Sequence, residues 1–373
     1  MTKKEIVFFT SNLSSGGAEG VCVKIANALS RKGWDVKILV QNLSNDRLSC
    51  LLDDGIKVET LSCLSIRFGL LELRRWILVN RPSNIVTFHH MLTLALILIR
   101  YTVRVNYKII SRNINNISSI YKYRGFSIKN RLQLMLLNSF YHRSDVVIHQ
   151  CQRMKEDFIK NFPYTKSKSV VIFNPTIVHN DIKENEGVIF KSDEPYFLYI
   201  GRLEPQKSLT YAIKAFAVAQ ESWPSLRFRI LGEGSMEFEL RGLTSRLGVE
   251  ENVDFLGFVS NTAQHFIGAE FTILSSLYEG FPNVLLESIS YGTPIVSFDC
   301  FSGPSEIIEE GVNGYLVEHL NVMKLAEKIV LMKNNDFKSE IVMSSAYRFS
   351  IDKIASEWEQ LIFLLETEVD YEN

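Results

Sequence analysis

The chain has 373 residues, 46% of them hydrophobic and 22% charged, an ordinary globular composition that excludes disordered, collagen-like and coiled-coil proteins. Its formal net charge of −1 hides an asymmetry: residues 1–178 carry 26 basic and 11 acidic side chains, a net of +15, and residues 179–373 carry 15 and 31, a net of −16. The basic half is expected to prefer an anionic partner, phosphate or anionic lipid, and nucleic acid is set aside because there is no zinc-finger spacing or aromatic RNP-type motif.

In chain order, Lys4–Phe9 reads as a strand ending in a Ser/Asn/Gly loop, and Ala18–Arg31 as the helix after it. Val36–Val40, Ile56–Leu61, Ile85–Phe88, Lys108–Ser111 and Val146–His149 repeat the short apolar run, with helical segments between. Asn174–Asp193 is polar and reads as a linker. The pattern restarts with strands at Tyr196–Ile200, Arg227–Leu231, Val253–Phe255, Phe271–Leu274 and Pro294–Phe298. Helices are expected at about Ser208–Gln220, Ser235–Leu247, Val284–Tyr291 and Val322–Asn334, and a last one at about Asp352–Leu365 carries Trp358. Short continuous apolar runs alternating with amphipathic helices indicate buried parallel strands. The expected fold is therefore α/β, with two doubly wound Rossmann-like domains facing across a cleft that holds the ligand at strand carboxyl ends. The boundaries are set at 1–178 and 179–349; the helix at about 350–373 is open to packing back on the first domain. The longest apolar run, Met91–Ile99, is far short of the roughly 20 residues of a membrane span. Five scattered cysteines without CxxC read as reduced thiols of a cytoplasmic protein, with no zinc site and no disulfide framework.

Three loops of the second half carry chemistry. In Ile200-Gly201-Arg202-Leu203-Glu204-Pro205-Gln206-Lys207-Ser208, a strand ends at a glycine turn and two cations project before a helix. They can bind an anion or neutralise a departing phosphate, or simply be solvated. Leu231-Gly232-Glu233-Gly234 is a second tight turn at a strand end. The third loop is Tyr278-Glu279-Gly280-Phe281-Pro282-Asn283-Val284-Leu285-Leu286-Glu287. Pro282 suits a helix start and Gly292 its end. The amides of Asn283, Val284 and Leu285 would then face an anion or a sugar hydroxyl. Asn283 and Glu287 share a helical face, and Glu279 precedes the helix.

Glu279…Glu287 resembles the E-x7-E motif of the family 4 retaining glycosyltransferases, which have the GT-B fold. The loop 201–207 is similar to that family's diphosphate-binding loop. Leu256-Gly257-Phe258-Val259, the run Asp299–Ile308 and Gly311-Val312-Asn313-Gly314 match its C-terminal domain, and Ser15-Gly16-Gly17-Ala18-Glu19 matches its N-terminal Gly-Gly-Ala-Glu loop. The likeness is strongest to bacterial transferases that build O-antigen and capsule repeat units. It implies that Arg202 and Lys207 hold the nucleotide diphosphate and that Glu279 touches the donor sugar. Glu287 would bind the ribose, and the Asn283, Val284 and Leu285 amides would contact sugar or phosphate. Gly232, Phe258 and Val259 would line the nucleotide pocket, and Gly16 and Gly17 would let backbone approach the donor phosphates. UDP is the implied nucleotide and no cofactor is implied. The sequence contains no Asp-X-Asp, so two fixed cations and a helix N-terminus are expected to do the work of a metal.

The first half is expected to carry the acceptor, a lipid-diphosphate-linked glycan. Ile66, Leu70, Leu73 and Ile77 trace one helical face beside Arg67, Arg74 and Arg75. Arg100, Arg104 and Lys108 follow the apolar stretch, and Lys122, Arg124, Lys129 and Arg131 form another cluster. These residues are either helix–sheet core with solvated cations or a surface that docks on anionic lipid; the excess of positive charge favours peripheral association with the cytoplasmic face of the inner membrane. His89 and His90 at a strand end, and Arg112 at the next, are the acceptor-side candidates. Cys151 stands where such transferases often carry Ser or Thr. A nucleotide-sugar 2-epimerase is opposed by the E-x7-E helix and the Gly-Gly-Ala-Glu loop. A non-catalytic sugar-nucleotide-binding subunit is opposed by the survival of both cations and both glutamates, and an NAD-dependent oxidoreductase by the lack of Gly-X-Gly-X-X-Gly after the first strand. No residue stands out as a nucleophile, so front-face displacement and a covalent intermediate are both open.

Overall fold

A computed structural model describes residues 4–14, 16–124, 128–178, 194–334 and 337–367, with the side chains of 120, 121, 124 and 128–130 left aside. Ser15, most of the expected linker, and the side chains of Arg124 and Lys129 lie outside the described residues.

The chain forms two compact units, residues 1–175 with 351–373, and residues 176–350. In the first unit the strands are β1 (Glu5–Thr10), β2 (Asp35–Val40), β3 (Lys57–Thr60), β4 (Asn84–Thr87), β5 (Lys108–Arg112), β6 (Val146–His149) and β7 (Ser169–Val171). They form one parallel sheet in the order β3-β2-β1-β4-β5-β6-β7. In the second unit β8 (Tyr196–Ile200), β9 (Arg227–Leu231), β10 (Val253–Gly257), β11 (Phe271–Leu274), β12 (Ile295–Phe298) and β13 (Gly314–Val317) form another parallel sheet, ordered β10-β9-β8-β11-β12-β13. The central strands β1, β4, β6, β11 and β12 are buried along their whole length. This is why their sequences are unbroken apolar runs and not alternating ones.

The strand order reverses between β1 and β4 in one sheet and between β8 and β11 in the other. The carboxyl ends of the strands at such a switch point are where open α/β sheets bind ligands. In the second unit the loops leaving those ends are residues 201–208 and 275–282.

Helix Ile351–Thr367 belongs to the first unit. Its Trp358 is fully buried and meets Phe8 of β1 edge-on at 6.1 Å. Helix His90–Arg100, the longest apolar run, is a core helix that buries Leu92, Leu94, Leu96 and Ile97. The edge strands β7 and β13 were not expected from the sequence: they have only three and four residues.

Candidate active site

The second unit's site is built from β8 and β11. After β8 the chain turns at Gly201, makes a short 3-10 turn over Pro205–Lys207 and enters helix Leu209–Ala219 through Ser208, whose φ is +49°. After β11 the chain runs beside it. Leu277 N donates to Gln206 O at 2.9 Å, and Gln206 Nε2 donates to Tyr278 O at 3.0 Å. Ser275 Oγ lies 3.3 Å from the Lys207 and Ser208 carbonyls. The two loops are therefore clamped by backbone, and their side chains inherit that position.

Lys207 Nζ lies 2.6 Å from Glu279 Oε1, and Ser276 Oγ donates to the same oxygen at 2.6 Å. The two charged side chains are 18% and 8% exposed, so the pair is largely screened from water. Ser302, itself buried with φ +65°, donates from Oγ to the Glu279 carbonyl at 2.7 Å. Gly303 is also forced: at φ +95°, a Cβ there would stand 2.6 Å from Pro282 Cδ and 3.0 Å from Gly280 O. The nearby Cys300 thiol is held protonated, its pKa raised by burial first and by Glu279 second. Arg202 is exposed, while its carbonyl accepts the buried Tyr199 hydroxyl at 3.0 Å.

Gly232 explains the second loop. Its φ is +134°, and a Cβ would sit 1.9 Å from Gly201 O. At Gly234 a Cβ would meet Leu203 O at 2.3 Å. Leu203 N donates to Glu233 O, and Met236 N to Leu203 O, each at 2.9 Å. Both glycines are required by the 201–203 loop packed on them, before any ligand is considered.

Helix Asn283–Ser290 starts with Pro282 at its N-cap, one position earlier than the sequence suggested. Gly292 follows its end at φ +77°, as a left-handed terminator should. The Leu285 amide is committed to Pro282 O at 3.1 Å, and Leu285 itself is buried. Asn283, Val284 and Glu287 are half-buried. Val284, Val259 and Ile200 pack around the small cluster of Leu198, Leu231 and Phe266, so the ends of β8, β9 and β10 share a floor with this helix. Phe258 beside them is 52% exposed.

The first unit corrects several expectations. Gly16 caps helix Gly17–Arg31. A Cβ there would lie 2.0 Å from Glu19 Oε2, so the glycine makes room for a carboxylate of the chain itself at the helix start. His89 is the exposed N-cap of helix His90–Arg100, and its Nδ1 accepts from Met91 N at 3.3 Å. His90 turns the other way. Its Nδ1 lies 2.9 Å from Tyr141 Oη, its ring stacks on Phe158, and burial pushes its pKa down to about 3. It is therefore a core residue and leaves the acceptor-side set. Arg112, the acceptor-side candidate at the end of β5, is buried, only 1% exposed. Arg100 is tied to Asp145, with Nη2 to Oδ2 at 2.5 Å, and is part of the fold. The face of Ile66, Leu73 and Ile77 is core. The exposed apolar side chains of that segment are Leu64, Phe68, Leu71, Leu78 and Val79 instead.

Ser276, Ser302 and Gln206 position the site and were not found from the sequence. Ser276 sits three residues before Glu279, the one signal available. Ser302 acts from another loop, and nothing local marks it.

The sequence and the fold match known proteins. Residues 15–178 match the family model Glycosyltransferase Family 4, and residues 181–348 match Glycosyl transferases group 1. An uncharacterized glycosyltransferase of Haemophilus influenzae is 24% identical, covering 96% of this chain and 100% of that one. A second relative is the N-acetylgalactosamine-N,N'-diacetylbacillosaminyl-diphospho-undecaprenol 4-alpha-N-acetylgalactosaminyltransferase of Campylobacter jejuni. It is 26% identical over 89% of this chain and 91% of its own length. The structure of Anabaena Alr3699/HepE in complex with UDP-glucose superposes with a TM-score of 0.78 at 21% identity, covering 96% of this chain and 99% of that one. With one glycosyltransferase model on each half and the same two-sheet fold in its neighbours, the chain belongs to the glycosyltransferases of the GT-B fold.

Proposed function

We propose that this protein is a retaining, metal-independent transferase that moves a hexosyl or N-acetylhexosaminyl group from a UDP-linked sugar to a lipid-diphosphate-linked glycan in surface-polysaccharide assembly. The observation that carries the reading is the Lys207–Glu279–Ser276 cluster at the switch point between β8 and β11. A nucleotide-sugar reacts by losing a diphosphate, and negative charge grows on the bridging oxygen as the sugar becomes oxocarbenium-like. Fixed donors aimed at that charge lower the barrier without reorganising.

In this reading Lys207 and Arg202 take the diphosphate, Arg202 from its exposed position. Glu279, already oriented by Ser276, accepts from donor-sugar hydroxyls. Asn283, Val284 and Leu285 begin the helix whose N-terminal end faces sugar or phosphate, and Glu287, one turn on, takes the ribose. Phe258 and Val259 border the base. Gly232 holds the Arg202 loop. On the acceptor side His89 is the histidine retained. The UDP-glucose complex of HepE and the undecaprenol-linked acceptor in the Campylobacter enzyme's name support this choice of donor and acceptor class.

Binding at an anionic inner-membrane surface belongs to the same reading. Leu64, Phe68, Leu71 and Val79 are 66–91% exposed, and Arg67 and Arg75 are exposed among them. No helix among the described residues is long and apolar enough to cross a membrane.

The test is turnover of UDP-sugars by the unmodified protein, with and without a chelator, alongside Arg202→Ala and Lys207→Ala. Near-normal rates in both variants, or activity lost to chelator and restored by metal, would overturn the assignment.

A further inference from the structure

Arg112 ends β5 and is 1% exposed; Trp358, from helix Ile351–Thr367, is fully buried. The guanidinium carbon stands 5.6 Å from the Trp358 ring centre and 5.9 Å from that of Phe88. Guanidinium has five N–H donors and no acceptor, and indole has one donor and no acceptor. Arg112 Nη2 donates to Asn174 Oδ1 at 2.5 Å. Arg112 Nε and Nη1 and Trp358 Nε1, all buried, have no partner among the described residues.

The charge faces two aromatic rings but no counter-ion among the described residues. The ionisable group acting on Arg112 is the Cys22 thiol, and burial raises that thiol's pKa so far that it stays neutral. Burial pulls the guanidinium down to about 9, still cationic at neutral pH. A buried cation without a counter-charge is heavily penalised, and each orphaned donor adds to the cost. Every open atom here donates. A water accepting from them would have to place its own two hydrogens, for which Asn174 Oδ1 keeps one lone pair beside its bond from Nη2, and it would bring no negative charge. A small anion supplies acceptor and negative charge at once, and aromatic walls select one that is monatomic and weakly hydrated.

We propose that the first unit encloses a halide-sized anion site, chloride in solution, formed by Arg112 Nε and Nη1 with Trp358 Nε1. The ion joins the carboxyl end of β5 to the C-terminal helix. Neither the donor nor the acceptor enters this inference, so it stands independently of the transferase reading.

The direct test is crystals of the unmodified protein grown in sodium bromide. An anomalous peak within about 3.5 Å of an Arg112 nitrogen and of Trp358 Nε1 is the expected result; water or no density at that place overturns the proposal. In solution, the melting temperature is compared in sodium chloride and sodium gluconate at equal ionic strength. A saturable rise of about 2–4 °C in chloride is expected, and an identical melting temperature in the two salts counts against the site. Trp358→Phe keeps the ring in the core and removes one donor, so about tenfold more chloride should be needed for the same rise. An unchanged chloride dependence in that variant would remove Trp358 from the site.

Discussion

Glu279 Oε1 is shared by Lys207 Nζ and Ser276 Oγ, each at 2.6 Å. A largely buried ammonium is thus held ready by a carboxylate that is itself held by a hydroxyl. Removing one member of such a pair strands the other. Lys207→Ala is expected to lower kcat about 10²–10³-fold and also to lower the melting temperature of the second unit. Glu279→Gln keeps the shape and frees Lys207, so it should lose turnover with a smaller stability loss. A Lys207/Glu279 double-mutant cycle on stability then separates the two roles: additive losses would mean that the ion pair contributes nothing to the fold.

Gly232 and Gly20 provide a matched contrast. A methyl group at Gly232 meets Gly201 O at 1.9 Å on a backbone at φ +134°, whereas at Gly20, inside helix Gly17–Arg31, it meets nothing within 4 Å. Gly232→Ala should destabilise the second unit by more than about 2 kcal/mol, combining strain and displacement of a backbone carbonyl. Gly20→Ala should stabilise by about 0.5–1 kcal/mol. Urea unfolding of both variants decides the matter, and equal effects would sink the packing account of the Gly232 turn.

Much of this architecture was legible in the sequence because fully buried parallel strands must be apolar on both faces. Tyr196–Ile200 and Phe271–Leu274 could hardly be anything else. The loop Tyr278–Glu287 was legible for another reason: Pro282 and Gly292 mark the ends of its helix. What could not be read were orientations. His89 and His90 are adjacent and alike in type, yet one caps a helix at the surface and the other packs against Tyr141 and Phe158. Arg112 was an acceptor-side candidate because it ends a strand, yet Phe88, Asn174 and Trp358 of the C-terminal helix, far away in sequence, enclose it. For the helix at 70–80 the sequence left core and lipid surface both open; the stripe that periodicity identifies is core, and the exposed apolar side chains are those left off it.

That surface can be tested by itself. Phe68 is 81% exposed and Leu71 66%, beside Arg67 and Arg75. Burying apolar area gives roughly 25 cal/mol per Å², and each cation near an anionic surface adds about 1 kcal/mol. Phe68→Ser with Leu71→Ser should reduce flotation with anionic liposomes at any salt concentration. Arg67→Ser with Arg75→Ser should reduce it mainly at low salt, where charge is least screened. Neither pair changes a residue assigned to the donor, so transfer to a soluble acceptor fragment should be retained. Equal flotation of all forms would remove this face from the membrane reading.

The buried histidines of the first unit are expected to add to its acid sensitivity. His90 and His149 are both pushed down to about 3, mainly by burial. His149 sits between Asn113 Nδ2 at 3.4 Å and Ser169 Oγ at 3.1 Å. A histidine whose folded value lies below its unfolded value of about 6.5 is neutral in the fold at every pH above about 3. Above pH 6.5 both states are neutral and there is no penalty. Below it only the unfolded chain takes up the proton, so stability falls as pH drops towards 3. The limiting slope is about 1.4 kcal/mol per pH unit for each histidine. Replacing both by Asn offers an amide in place of Nδ1 and removes the titration. The variant should be less stable than the parent at pH 7, with a distinctly shallower decline between pH 6 and pH 4 in urea unfolding. Carboxylate protonation is common to both proteins and cancels in the comparison. Parallel pH profiles would show that some other group, and not these two imidazoles, governs the acid limb.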